Sequence, residues 1–168
     1  MFRTVNLAGI PYALRSAPRW GVWRYEERDG KATKVPYSVV TGKRASSTNP
    51  ADWTSFDLAA AYFLRQRRHD GLGFVLGAGW AGVDLDKCRN PETAELTAWA
   101  AKIVSDLASY TETSPSGTGV KIFVRGALPE GISGRRKGKL PAYDGSDEGV
   151  IEAYSAARYF TVTGVRYA

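Results

Sequence analysis

The first readable pattern along the chain is a pair of runs with apolar residues two positions apart, Trp20 with Val22 and then Val35 with Tyr37. Strands send alternate side chains to opposite faces, and Asp29-Gly30 between the runs readily adopts the positive φ angles of a tight turn, so Trp20 to Glu27 and Lys31 to Tyr37 read as a β-hairpin. Thr41 to Pro50 is loop-like. The period then lengthens: Phe56, Ala59, Ala60, Phe63 and Leu64 recur at helical spacing behind a Thr54 cap, with Asp57 at the capping-box position and a stop at Arg67-Arg68-His69-Asp70-Gly71. Leu72 to Leu76 and Trp80 to Asp86 read as two strands of a hairpin around Gly77-Ala78-Gly79. An Asn90 cap, Pro91 at the first helical position, and Leu96, Trp99, Ala100, Ile103, Val104 and Leu107 predict a second helix. Strands follow at Ser109 to Thr113, Val120 to Arg125, Val150 to Tyr154 and Arg158 to Thr163, interrupted by a long polar insertion, Gly126 to Gly149. Two helices among many short strands make the class α+β, with a mainly antiparallel sheet and the helices packed on one side.

Composition narrows the setting. At 168 residues, 43% hydrophobic and 12% aromatic, the chain has the content of one globular domain with a real core, into which most of its tryptophans should pack. A net charge of +6 favours a polyanionic partner. Cys88 is the only cysteine, which excludes an intramolecular disulfide and a cysteine-based zinc cluster and fits a reducing compartment. His69, the single histidine, excludes a paired-histidine metal site and reads as a surface residue beside a turn. No apolar run approaches a membrane span, and Arg3, Pro11, Arg15 and Pro18 interrupt any signal-peptide core, so the expected location is cytoplasmic.

The candidate chemistry starts at Asp84-Leu85-Asp86. On a strand both carboxylates share one face, roughly 7 Å apart at the backbone, while Val83 and Leu85 enter a core. Oxygen ligands in that layout suit Mg²⁺ or Mn²⁺, and an acidic solvated strand end has the same sequence. Ser114-Pro115-Ser116-Gly117-Thr118-Gly119 leads into a strand bearing Lys121; its hydroxyls, glycine backbone and following cation suit phosphates, and a simple hairpin turn has the same composition. It is not a P-loop, since no Gly-Lys-Ser/Thr occurs and a strand follows. Glu152 is a carboxylate within the apolar strand Val150 to Tyr154, and Arg158 begins the next strand. Arg135, Arg136, Lys137 and Lys139 form a basic cluster in the polar insertion, suited either to template phosphates or to solvent.

The order of these pieces resembles the catalytic core of the archaeo-eukaryotic primase superfamily: an Asp-x-Asp strand, a Ser-x-Ser-Gly-x-Gly loop, a strand acid, then Arg158 and Phe160-Thr161-Val162-Thr163-Gly164. The likeness is greatest to the primase-polymerase domains at the N-termini of phage and plasmid replication proteins, and Lys34-Val35-Pro36-Tyr37, Ala45 to Pro50 with Trp53, and Asp70 to Phe74 also fit that group. The resemblance implies an RRM-like sheet in a single primase-polymerase domain over 1–168, with an N-terminal αβ module (1–70) and a metal- and nucleotide-binding core (71–168), as the N-terminal part of a larger protein. It implies that Asp84, Asp86 and Glu152 bind Mg²⁺ or Mn²⁺ and are catalytic. Ser114, Ser116, Gly117, Thr118, Gly119, Lys121 and Arg158 would hold a nucleoside triphosphate, and a single-stranded DNA template would be copied, with a replicative helicase in cis or trans as a further partner. One position departs from the pattern: Lys121 stands where many members carry histidine, so a lysine point charge replaces a planar ring. A nucleotide- and DNA-binding module that positions a helicase or initiator is the alternative that this departure keeps open.

Overall fold

In the computed structural model, which describes residues 5–132 and 134–167 apart from the Arg135 side chain, the chain divides into two units, each with its own sheet. The elements run α1 (Tyr12–Arg15), β1 (Trp20–Arg28), β2 (Lys31–Tyr37), α2 (Phe56–Gln66), β3 (Gly71–Val75) and β4 (Trp80–Asp86). They continue with α3 (Ala98–Leu107), β5 (Tyr110–Thr113), β6 (Val120–Arg125), β7 (Arg135–Leu140), β8 (Gly149–Tyr154) and β9 (Tyr159–Val162). Pairing is antiparallel throughout, so the α+β class holds.

The first unit comprises the chain up to Val75 together with Ala157–Gly164, and its sheet has the order β2-β1-β3-β9. The predicted hairpin is present, turning on Asp29 and Gly30 at φ of 52° and 72°. All five residues of β3 are buried, as expected of a strand whose two edges and two faces are covered. Trp20 anchors this core, edge-on to Phe56 and Phe74 with centroids 5.1 and 5.2 Å away, while its indole N–H donates to the Leu14 carbonyl at 3.1 Å. The α2 cap is Ser55, one residue later than predicted: its Oγ accepts from the Leu58 N–H. His69 also differs from expectation. It is buried, with its ring centroid 5.5 Å from those of both Tyr37 and Tyr62.

The second unit, Leu76–Ala156 with the segment from Val165, holds the sheet β5-β6-β4-β8-β7. One face is apolar: Leu85, Val120 and Ile122 form a core with Cys88 and with Ala100 of α3, flanked by Val83, Trp99, Ile103, Val104 and Ile151. Three expectations change here. β3 and β4 do not form a hairpin, because both edges of β3 are taken by β1 and β9 and both edges of β4 by β6 and β8. α3 begins at Ala98 rather than after Asn90; the Asn90 carboxamide instead accepts from the Glu92 and Thr93 N–H groups, and Ala94 turns to a φ of 65° that ends any helix there. The polar insertion is not all loop, since it contributes the edge strand β7, bulged between Lys137 and Leu140.

Candidate metal and triphosphate site

Because Val83 and Leu85 are committed to the α3 side of the sheet, strand alternation turns Asp84 and Asp86 to the opposite face. Directly paired residues of an antiparallel sheet point to the same face. Asp84 is paired with Lys121 of β6 on one side and with Glu152 of β8 on the other. Lys121 is in turn opposite Glu112 of β5, and Glu152 is opposite Arg136 of β7. One row of charged side chains therefore crosses the sheet in the order Glu112, Lys121, Asp84, Glu152, Arg136, and Asp86 stands one step further along β4.

The row is withdrawn from water from Glu112 to Glu152, and only Arg136 at its end is exposed. Side-chain exposure is 13% for Asp84, 7% for Lys121 and 16% for Glu152. The Lys121 ammonium donates to Oδ2 of Asp84, while Oδ1 of the same carboxylate is buried with no hydrogen-bond partner. Glu152 accepts from the Tyr154 hydroxyl at 3.1 Å and pairs with the Arg136 guanidinium at 3.5 Å. An orphaned buried carboxylate oxygen is expensive to leave unpaired, and a divalent cation is a partner that suits it. Among the described residues no group of three or more acid, histidine or cysteine side chains is placed to hold a metal ion, and Asp84, Asp86 and Glu152 are not drawn together into one. An open arrangement of carboxylates fits Mg²⁺-type ions, which use few protein ligands and complete their shell with waters and substrate phosphates.

The Ser114–Gly119 loop lies against this face's rim. Ser114 Oγ and Ser116 Oγ are 2.9 Å apart, and Ser116 Oγ and Thr118 Oγ1 are 3.1 Å apart, so three hydroxyls are linked in a chain. Gly117 takes a φ of 79°, and its N–H donates to the Ser114 carbonyl. Gly119 must be small, because a Cβ there would stand 2.4 Å from the Leu85 carbonyl oxygen and 3.3 Å from Asp86 Cα. The loop thus touches the backbone between the two aspartates. Arg89 fastens it from outside, its backbone N–H donating to Thr118 O at 3.0 Å and its Nη1 to Gly117 O at 2.8 Å.

Asp84, Glu152 and Lys121 are brought together on one face, and the loop from Ser114 through Ser116, Gly117 and Thr118 to Gly119 abuts the Asp86 backbone. Arg158 belongs to the other unit, just before β9. The basic cluster is divided by the alternation of β7: Arg136 faces Glu152, whereas Lys137 is opposite Ile151 on the α3 side, and Lys139 sits in the bulge at a φ of 59°. The side chain of Arg135 lies outside the described residues. Cys88 is fully buried, its thiol pushed up to about 12 chiefly by burial and further by Asp86 and Asp84, which makes it a packing residue rather than a nucleophile. Glu112 does not stand out in the sequence. Its signal is the alternation Tyr110, Glu112, Ser114 on a strand leading into the Ser/Gly loop, but only the register of β5 on β6 sets it beside Lys121.

The fold and face define an α+β protein with a carboxylate-bearing antiparallel sheet and an adjoining hydroxyl-rich loop. No family model matches the chain. It is similar to a DNA primase-polymerase of Nitratiruptor phage NrS-1, with 39% identity over 154 residues, or 90% of this chain and 20% of the phage protein. The chain therefore spans about a fifth of that relative's length. Among the described residues no helix is long and apolar enough to cross a membrane.

Proposed function

We propose that this chain is a primase-polymerase catalytic domain of the archaeo-eukaryotic primase type, joining nucleotides from nucleoside triphosphates on a single-stranded DNA template. The observation that carries the reading is the contact of Gly119 with the β4 backbone, which sets a phosphate-suited loop against the Asp84 and Asp86 strand. The name and identity of the phage relative support it. Asp84, Asp86 and Glu152 would hold Mg²⁺ or Mn²⁺, ions that supply charge stabilisation to an in-line phosphoryl displacement. Ser114, Ser116, Thr118 and the Gly117 to Gly119 backbone would hold the triphosphate, with Lys121 and Arg136 neutralising phosphate oxygens from either side of Asp84. Template phosphates would meet the exposed part of the basic cluster on β7. The whole replication protein, including a helicase, would extend beyond this domain.

Primer extension on a single-stranded template with Mg²⁺ or Mn²⁺ tests the proposal. Incorporation by the wild-type protein that is abolished in Asp84→Asn and Asp86→Asn, both folded, is the expected result. The Lys121 ammonium seated on Asp84 favours a second reading, a binding module that holds nucleotide and DNA for a partner helicase or initiator. Triphosphate and DNA binding without any incorporation under either metal would select it.

A further inference from the structure

Glu112 is a carboxylate of the charged row that the proposed chemistry does not use. It has no solvent exposure, and its Oε2 accepts from the Tyr110 hydroxyl at 2.8 Å. A buried carboxylate needs charge compensation as well as a neutral donor. On β6 the residue directly opposite is Lys121, itself buried; on the other edge Arg166 forms a β-bridge with Glu112 and brings a second cation to the cluster, its charge acting on the Tyr110 hydroxyl. Directly opposite residues have Cβ atoms about 4.5–5.5 Å apart, so a lysine at position 121 reaches a carboxylate on either neighbouring strand. Lys121 thus stands between two acids, Glu112 and Asp84, and its ammonium lies on Asp84.

A cation on Asp84 makes that seat unfavourable for an ammonium. Resting on the metal-site reading above, we propose that Glu112 is a positioning residue: it retains Lys121 on the sheet once Asp84 ligates a divalent cation, so that the lysine faces the triphosphate instead of competing with the metal. Without Glu112, Lys121 stays on Asp84 and opposes metal entry.

The test is Mn²⁺ binding to the nucleotide-free protein, followed by the electron paramagnetic resonance signal of free Mn²⁺, in a double-mutant cycle. Glu112→Gln, which keeps an acceptor for Tyr110, is expected to weaken Mn²⁺ binding ~10- to 100-fold, the usual effect of removing a residue that supports a metal ligand. Lys121→Met is expected to bind Mn²⁺ at least as tightly as wild type. In the Lys121→Met background, Glu112→Gln should change the affinity by less than about twofold, since its effect is routed through the lysine. An unchanged affinity for Glu112→Gln alone, or an equal loss in both backgrounds, overturns the role of Glu112 and leaves the metal site standing. A wild-type protein that binds no Mn²⁺ overturns both. A measurement on the wild-type protein removes dependence on variant folding: the Lys121 ammonium resonance, protected from exchange by a carboxylate, persists at saturating Mg²⁺ if Glu112 retains it. Loss of that resonance to solvent exchange counts against the proposal.

Discussion

Asp84 and Glu152 face each other across adjacent strands, a juxtaposition of like charges that a sheet built for stability avoids. Lys121 and Arg136 flank the pair, one on each side. Glu152→Gln preserves the acceptor for Tyr154 and removes one of the two facing charges. Its metal-free melting temperature should equal or exceed that of wild type, while Mn²⁺ affinity falls by ~10-fold or more and incorporation by ~10²- to 10³-fold. Calorimetry and metal titration on one preparation check both halves.

The hydroxyl chain of the loop offers a second test. Ser116 joins Ser114 to Thr118, so Ser116→Ala cuts both links at once. Triphosphate binding should weaken by about 1–2 kcal/mol, roughly tenfold or somewhat more, with little change in affinity for single-stranded DNA. Equal losses for both ligands would place the loop on a general binding surface.

Alternation along β7 separates the members of the basic cluster. Lys137→Ala should leave triphosphate binding unaltered, whereas Arg136→Ala, beside Glu152, should weaken it. If the whole cluster grips template phosphates, replacing Arg135, Arg136, Lys137 and Lys139 together lowers the slope of log affinity against log salt by up to ~0.7 for each phosphate no longer neutralised. Single-stranded DNA binding across a salt series reads the slope directly.

Acid stability should depend on Glu26. The Tyr37 hydroxyl, with help from the Arg44 and Arg24 guanidinium groups, holds its carboxyl down to about 2 from the ordinary 4.5. A carboxyl depressed on folding contributes stability that is complete above its unfolded value and lost as pH falls from about 4.5 towards about 2. Glu26→Gln should therefore melt at a temperature less dependent on pH across that window.

His69 acts in a milder range. Burial, then repulsion from Arg24 and Arg68, lowers its pKa below the ordinary 6.5 against the opposing pull of Asp70, and its Nδ1 is buried without a partner. The folded state disfavours the imidazolium, so stability falls as pH drops below about 6.5. Thermal melts from about pH 5 to 8 should show this slope in the wild type and a flatter profile in His69→Phe.

What the sequence discloses is local. Asp29-Gly30, the Asp84-Leu85-Asp86 alternation and the apolar run at β6 each carry their conformation within a few residues, and each is readable there. Partner choice is not. β3 and β4 adjoin in sequence around three glycine-rich turn residues, yet hydrogen-bond with strands far away in the chain. β7 has no strong strand signal, because an edge strand needs only one paired side and tolerates a charged, glycine-containing sequence. His69 has the sequence context of a turn residue, since nothing in Arg67-Arg68-His69-Asp70 announces the tyrosines of β2 and α2 that enclose it. The acids of the site are legible as residue types, but the row they form with Glu112, Lys121 and Arg136 exists only in the register of five strands.

The close approach at Gly119 gives the loop the tolerance of a packed interior rather than of a surface turn. With the Leu85 carbonyl directly beneath it, the loop cannot slide inward by even the width of a methyl group unless β4 moves as well. Anything seated in the loop is gauged against the two aspartates by hard-sphere contact, as by a fixed stop on an instrument. Gly119→Ala would shift that stop outward, and its signature would be a ligand still held but held at the wrong distance.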